Sequence, residues 1–503
     1  MKNNIGKDIE KNFGPRQNAK DGLRQNAKDE PKQNAKDKAR QNARVRILLA
    51  LLMLFCMVLP GWGLYKTESQ ETRPSESNTL KTRQTEIESL EARSVKTDSL
   101  EVDQEEADSL ESDSVPADSL TADSQLADSV RALPWPESLQ YNLSRLLESK
   151  IFETSQVGLM VWDLDADSCL YAYRERQLMR PASTMKLLTA ITALDKLGGS
   201  YQFKTQLKYT GKINEGVLEG DIYCIGGMDP RFNNDDMTAF VSTLRDMGVD
   251  SIRGSVYADR SMKDADLLGE GWCWDDDNPV LSPLVFGRKD TFMPRFIQRL
   301  QESGIYLLHG DTTEMKRCPQ SAFSICTRFH TMDQIMHKMM KESDNLYAES
   351  MYYQIAASTG NRPASAKSAK GVERKLIGKL GLDSKRYRLA DGSGLSLYNY
   401  LSAELECKLL RYAYNDENIM PHLNASLPIA GTDGTLKKRM RGTAAEGNVK
   451  AKTGTLEGVI SLAGYCTAAN GHHLCFAIIN NGIMHAGNAR RFQDQVCIAM
   501  CQP

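Results

Sequence analysis

No C-x-x-C and no H-E-x-x-H occurs in this sequence, and its seven histidines and 11 cysteines are scattered rather than grouped. That excludes zinc ribbons and the helix-borne zinc site of many metallohydrolases; no metal and no other cofactor is expected. Net charge is equally scarce. The 63 Lys and Arg against 65 Asp and Glu leave a formal charge of −2 over 503 residues, with no basic platform for nucleic acid. A nucleophile elbow of the G-x-S-x-G type is also missing: Asp391-Gly392-Ser393-Gly394 reads as a loop turn, and Gly226-Gly227-Met228-Asp229-Pro230 as a tight turn rather than a phosphate loop. Long apolar runs are absent but for one.

That run, ILLALLMLFCMVLPGWGLY at residues 47–65, has no charge and follows Arg44 and Arg46. As a helix it just spans the roughly 30 Å of a bilayer core, although Pro60, Gly61 and Gly63 weaken its last turn. The reading is an uncleaved signal anchor with its basic side cytoplasmic, hence a single-pass inner-membrane protein whose remainder is periplasmic. The alternative is a cleaved signal releasing a soluble periplasmic protein, but the n-region would be long and no A-x-A site follows.

The flanks explain the near-zero net charge. Residues 1–46 hold 13 Lys/Arg against 6 Asp/Glu and repeat RQNAKD-like units every eight positions, while residues 66–131 hold 7 against 17. The first flank is expected to be a disordered cytoplasmic tail. In the second, Leu80, Leu90, Leu100, Leu110, Leu120 and Val130 recur every ten residues. That is too sparse for a coiled-coil seam, so 66–133 reads as a self-repelling acidic tether.

Folded sequence begins near position 134. Leu139, Leu143, Leu146 and Leu147 have helical spacing, and VGLMVWDLDADSCLYAY alternates as two strands joined at Asp165-Ala166-Asp167. There follows MRPASTMKLLTA, in which Ser183 and Lys186 stand three apart at the head of an apolar helical run ending at Gly198-Gly199. Residues i and i+3 share a helix face. A buried lysine beside a serine hydroxyl can be neutral enough to take its proton, and a helix N-terminus favours the negative charge that develops. Taken alone, the pair also fits an N-cap followed by an exposed lysine.

Two further motifs appear downstream: Ser343-Asp344-Asn345 before an apolar helix, and Lys452-Thr453-Gly454 leading through Glu457-Gly458 into a strong strand. Together with S-x-x-K they form the set of the active-site serine penicillin-recognising enzymes. The 157 positions from Lys186 to Ser343 leave room for an inserted domain. LEGDIYCIGGMDPRF, LRDMGVDSIRGSVYADRS, GEGWCWDDDNPVLSPL, LADGSGLSLYNYLS and LPIAGTDGTLKKRM resemble the D-alanyl-D-alanine carboxypeptidase/endopeptidase family, the class C low-molecular-mass penicillin-binding proteins. The resemblance runs over roughly residues 135 to 500. Two departures stand out: an insertion shorter than usual, as if its second subdomain were reduced, and SPLVFGRKD in place of an asparagine-containing segment.

The resemblance implies an α/β fold: a penicillin-binding transpeptidase/β-lactamase-like domain with a five-stranded antiparallel sheet covered by helices, from 134–200 and 321–503, plus a smaller inserted α/β domain at 201–320. It implies a serine DD-peptidase that cleaves D-Ala-D-Ala bonds of peptidoglycan stem peptides, as a carboxypeptidase with endopeptidase action as a further expectation, and is inhibited by β-lactams. Ser183 would be the acylated nucleophile, Lys186 its base and Ser343 a proton relay to the leaving amine. Asn345 would bind the substrate amide and hold the lysine. Lys452 would lower the Lys186 pKa and attract the terminal carboxylate, with Thr453, Gly454 and Thr455 beside it and the amides of Ser183 and Thr455 as oxyanion hole. A β-lactamase on the same machinery, or a wall-binding scaffold with lapsed catalysis, remain the alternatives. The cysteines, Cys466 and Cys475 among them, are open to disulfide pairing or to a place in the core.

Overall fold

The computed structural model describes residues 133–274, 278–309 and 313–502. The expected basic tail, apolar span and nearly all of the tether lie outside them. Among the described residues no helix is long and apolar enough to cross a membrane. In chain order the elements are α1 (Glu137–Leu146), α2 (Ile151–Thr154), β1 (Gln156–Asp163), β2 (Ser168–Tyr173) and α3 (Met185–Leu197). The insert follows with β3 (Gln202–Tyr209), β4 (Lys212–Asn214), β5 (Val217–Glu219), β6 (Ile222–Ile225), α4 (Asn234–Asp246), β7 (Ser251–Ile252), β8 (Val256–Asp259), α5 (Phe292–Glu302), β9 (Tyr306–Leu307), β10 (Thr313–Met315) and β11 (Phe323–Thr331). The chain then returns through α6 (Met332–Lys341), α7 (Asn345–Ala357), α8 (Ala366–Lys379), α9 (Ala403–Tyr414), α10 (Met420–Ser426), β12 (Lys450–Leu456), β13 (Val459–Thr467), β14 (His473–Asn481) and α11 (Ala486–Cys501).

The main sheet has the order β12-β13-β14-β1-β2 and is antiparallel throughout. Its central strands carry apolar residues on both faces, as a sheet covered on both sides requires. Along β14, Cys475 and Ala477 enter one core while Leu474, Phe476 and Ile478 enter the other, the two-residue period of a strand. The second core is capped by α1 and α11 through Leu139, Leu143, Phe492 and Val496. The first is the larger and holds α3, whose residues Met185 to Leu194 are all buried. This accounts for a helix apolar on every side; each buried Leu or Ile there contributes roughly 2 kcal/mol over an exposed one.

The insert contains two sheets, β10-β8-β6-β3-β11 and β4-β5-β7-β9, around its own core of Phe240, Phe292, Phe296 and Leu300. Its limit differs from the expected one at 320. Strand β11 pairs along the length of β3, from Thr331↔Gln202 to Phe323↔Tyr209, so the chain enters and leaves on neighbouring strands and the insert ends at Thr331. That residue caps α6, its side chain and that of Gln334 forming a reciprocal capping box.

Candidate active site

Ser183 sits in a short 3-10 turn, Ala182–Thr184, immediately before α3. Ala182 has φ +48, a left-handed conformation that costs a non-glycine residue on the order of 1–3 kcal/mol and persists only where the surroundings impose it. Lys186, one turn further on, is 0% exposed. Its Nζ lies 2.9 Å from Ser183 Oγ, 2.8 Å from Asn345 Oδ1 and 2.8 Å from the Ser393 carbonyl. Burial pushes its pKa down to about 8, against the opposing pull of Asp391, Asp344 and Glu349. At that value an appreciable fraction is neutral near physiological pH and free to accept the serine proton.

Ser343 also occupies the left-handed region, with φ +60, and the fully buried Lys452 donates to its Oγ at 2.9 Å and to the Thr453 carbonyl at 2.7 Å. Next to it Asp344 caps α7 by accepting from the Tyr347 amide at 3.3 Å. Asn345 is thereby set at the first helical position, where its side chain reaches Lys186. Two lysine–serine pairs thus face one another, joined through the start of α7.

Thr453 donates to Thr435 Oγ1 at 2.7 Å. Gly454 lets β12 lie directly on the Ser183 turn: a Cβ there would stand 2.0 Å from Ser461 Oγ, 2.8 Å from the Pro181 carbonyl and 3.0 Å from Ser183 N. Thr455 is exposed on the same strand; among the described residues its hydroxyl makes no hydrogen bond, so it alone of the expected set stands apart from the network. β12 is an edge strand, a backbone rim open to an extended peptide.

Several contributors were not legible as such in the sequence. The loop Asp391-Gly392-Ser393-Gly394 is a turn, as expected, but it supplies the carbonyl that holds Lys186. Four donors fix its shape by converging on Asp391: the amides of Gly394 and Ser396, Asn399 Nδ2 and Trp272 Nε1, at 2.7–2.8 Å. Glu349 on α7 accepts from the amides of Gly392 and Ser393 at 3.0 and 2.8 Å, and burial, reinforced by Asp391, pushes it up to about 8. Glu406 on α9 lies 2.5 Å from the hydroxyl of Thr184, the residue after Ser183. From the insert, Arg288 in SPLVFGRKD ion-pairs with Asp344 at 2.6 Å, tying that domain to the motif. The one available sequence signal was an acid set among apolar neighbours, Glu349 in NLYAESMYY and Glu406 in AELECKLL.

All ten cysteines among the described residues are free. Cys407 and Cys475 are buried with their sulfurs 3.5 Å apart. His472 contacts the buried Asp163 at 2.7 Å.

The sequence matches the model of the D-Ala-D-Ala carboxypeptidase 3 (S13) family over residues 139–286 and 285–500. It is 26% identical over 431 residues to the D-alanyl-D-alanine carboxypeptidase DacB of Haemophilus influenzae, spanning 69% of this chain and 89% of that protein. To the D-alanyl-D-alanine carboxypeptidase of an Actinomadura species it is 27% identical over 463 residues, spanning 72% and 84%. The crystal structure of penicillin binding protein 4 (dacB) from Haemophilus influenzae shares the fold, with a TM-score of 0.64 at 24% identity over 71% of this chain and 98% of that one.

Proposed function

We infer, since the chain belongs to the D-Ala-D-Ala carboxypeptidase 3 (S13) family and is a serine D-alanyl-D-alanine peptidase, that Ser183 is its nucleophile and Lys186 the base that activates it. The observation that carries this reading is a wholly buried lysine 2.9 Å from a hydroxyl at a helix N-terminus. Neutral Lys186 takes the proton as Ser183 Oγ bonds to the carbonyl carbon of the penultimate D-alanine, and the Ser183 amide, with that of Thr455 on β12, stabilises the oxyanion. As the C–N bond breaks, Ser343, held by Lys452, passes a proton to the leaving amine. Water then hydrolyses the ester. Asn345 orients Lys186 and the substrate amide, while Lys452, Thr453 and Thr455 receive the terminal carboxylate. A β-lactam meets the same serine as a cyclic amide whose leaving group stays attached, which makes the ester long-lived.

Mass spectrometry with a labelled penicillin tests the reading. A stable adduct on Ser183, lost in Ser183→Ala with the fold retained, is expected. Rapid turnover would indicate a β-lactamase, no adduct a scaffold, and labelling of the alanine variant at wild-type rate a different nucleophile. Membrane attachment through residues 47–65 and a periplasmic site belong to the same proposal, supported by the charge asymmetry about the apolar run.

A further inference from the structure

Glu406 is fully buried, and its Oε2 has no hydrogen-bond partner. Its Oε1 lies 2.5 Å from Thr184 Oγ1, which also stands 2.8 Å from the Pro181 carbonyl and 3.3 Å from Ser461 Oγ. One hydroxyl has one proton to give. Ser461 spends its own on the Pro181 carbonyl and, at 3.3 Å, is the farthest of the three acceptors, so the Thr184 proton goes either to Pro181 or to Glu406. If it went to an ionised Glu406, a buried charge would rest on a single hydrogen bond with no cation beside it, an arrangement proteins avoid. If the carboxyl is protonated, its O–H donates to Thr184, Thr184 donates to Pro181, and the unpartnered oxygen is an uncharged carbonyl. Only the second assignment leaves no buried charge on a single hydrogen bond.

We propose that Glu406, in its protonated form, is a positioning residue that donates to Thr184 and so sets the turn carrying Ser183 against β12. This rests on Ser183 being the nucleophile. The turn has little tolerance for movement: the site of a Cβ on Gly454 is already 2.8 Å from the Pro181 carbonyl and 3.0 Å from the Ser183 amide, so a displaced Pro181 shifts an oxyanion donor. Ionising Glu406 would draw the Thr184 proton to the carboxylate and leave that carbonyl with Ser461 as its one hydroxyl donor. Burial pushes Glu406 up to about 8, opposed only by Thr184.

Among the described residues no charged group on the elements packed against α9 acts on Glu406, and most have partners of their own. Lys186 and Asp195 of α3 bind Ser183 and Lys379, and Asp163 of β1 meets His472. Tyr465 of β13 donates to the Leu410 carbonyl, Cys475 of β14 touches Cys407, and His422 of α10 pairs with Asp333.

The test is the ratio of penicillin acylation rates, Glu406→Gln over wild type, measured on the whole chain across pH. Glutamine donates to Thr184 at every pH and never ionises, and the ratio cancels the titration of both site lysines. It should stay near unity below about pH 7 and climb roughly tenfold by about pH 9, as a group near 8 is lost. Glu406→Met, of similar length and without charge, should give the same climb from a lower baseline. A pH-independent ratio in both variants overturns the role of Glu406 alone. A wild type that carries no adduct on Ser183 overturns the nucleophile assignment, and this inference with it.

Discussion

In the proposed mechanism Lys186 is a cation for part of the cycle and a base for the rest, and its surroundings divide the task. At about 8, roughly a tenth of it is neutral at pH 7, against roughly one part in three thousand for an ordinary lysine. Its folded-state pKa is lowered, so the neutral form grows as pH rises through that value. In Glu406→Gln, acylation by penicillin should therefore rise between about pH 6 and 8 and then level. Wild type, losing protonated Glu406 over the same range, should peak near 8. Arginine at 186 keeps the charge and cannot release it, so Lys186→Arg should slow acylation by at least roughly a hundredfold. Lys452→Arg should be milder, because carboxylate attraction needs only a cation. Near-normal acylation by Lys186→Arg, in protein shown by circular dichroism to be folded, would place the proton acceptor elsewhere.

At the scale of elements, the start of α7 concentrates strain and contacts of the proposed site in three residues. Ser343 is held at φ +60, Asp344 caps the helix and pairs with Arg288, and Asn345 reaches Lys186. Ser343→Gly should leave thermal stability equal or higher, by on the order of 1 kcal/mol, while slowing acylation roughly tenfold to a hundredfold; a parallel loss of both would mean that the hydroxyl is structural. Asp344→Ala should cost about 1 kcal/mol through the lost cap, read as a lower denaturation midpoint. What the sequence disclosed follows from locality. Ser183 and Lys186 share one turn, and the two downstream triplets are contiguous, so each could be read in place. Glu349 could not: α7 is buried from Leu346 to Ala356, and a helix without a polar face gives an acid no face to betray. Nor could Asp391 or Glu406, whose meaning lies in donors brought from distant parts of the chain. The boundary at Thr331 was hidden for the same reason, since β11 reads as a strand but its partner β3 does not read from it.

For the whole molecule, the described residues within 133–502 build an extensive core on each face of the main sheet. A chain beginning at about residue 134 should therefore fold and acylate within roughly twofold of the full-length rate; a larger loss, with the fold intact, would give the preceding segments a part in catalysis. The sheet itself joins the two ends of this region: β1 lies between β2 and β14, paired Gln156↔Asn481, 481 − 156 = 325 positions apart. At about 5–20 residues per second of synthesis, β1 waits on the order of 15–60 s for its neighbour. During that interval the serine has been made but the strand that braces its platform has not, and a chain stopped short of β14 lacks the middle of its sheet. Hydrolytic competence is thus scheduled for the end of manufacture, so that an unfinished copy cannot cut.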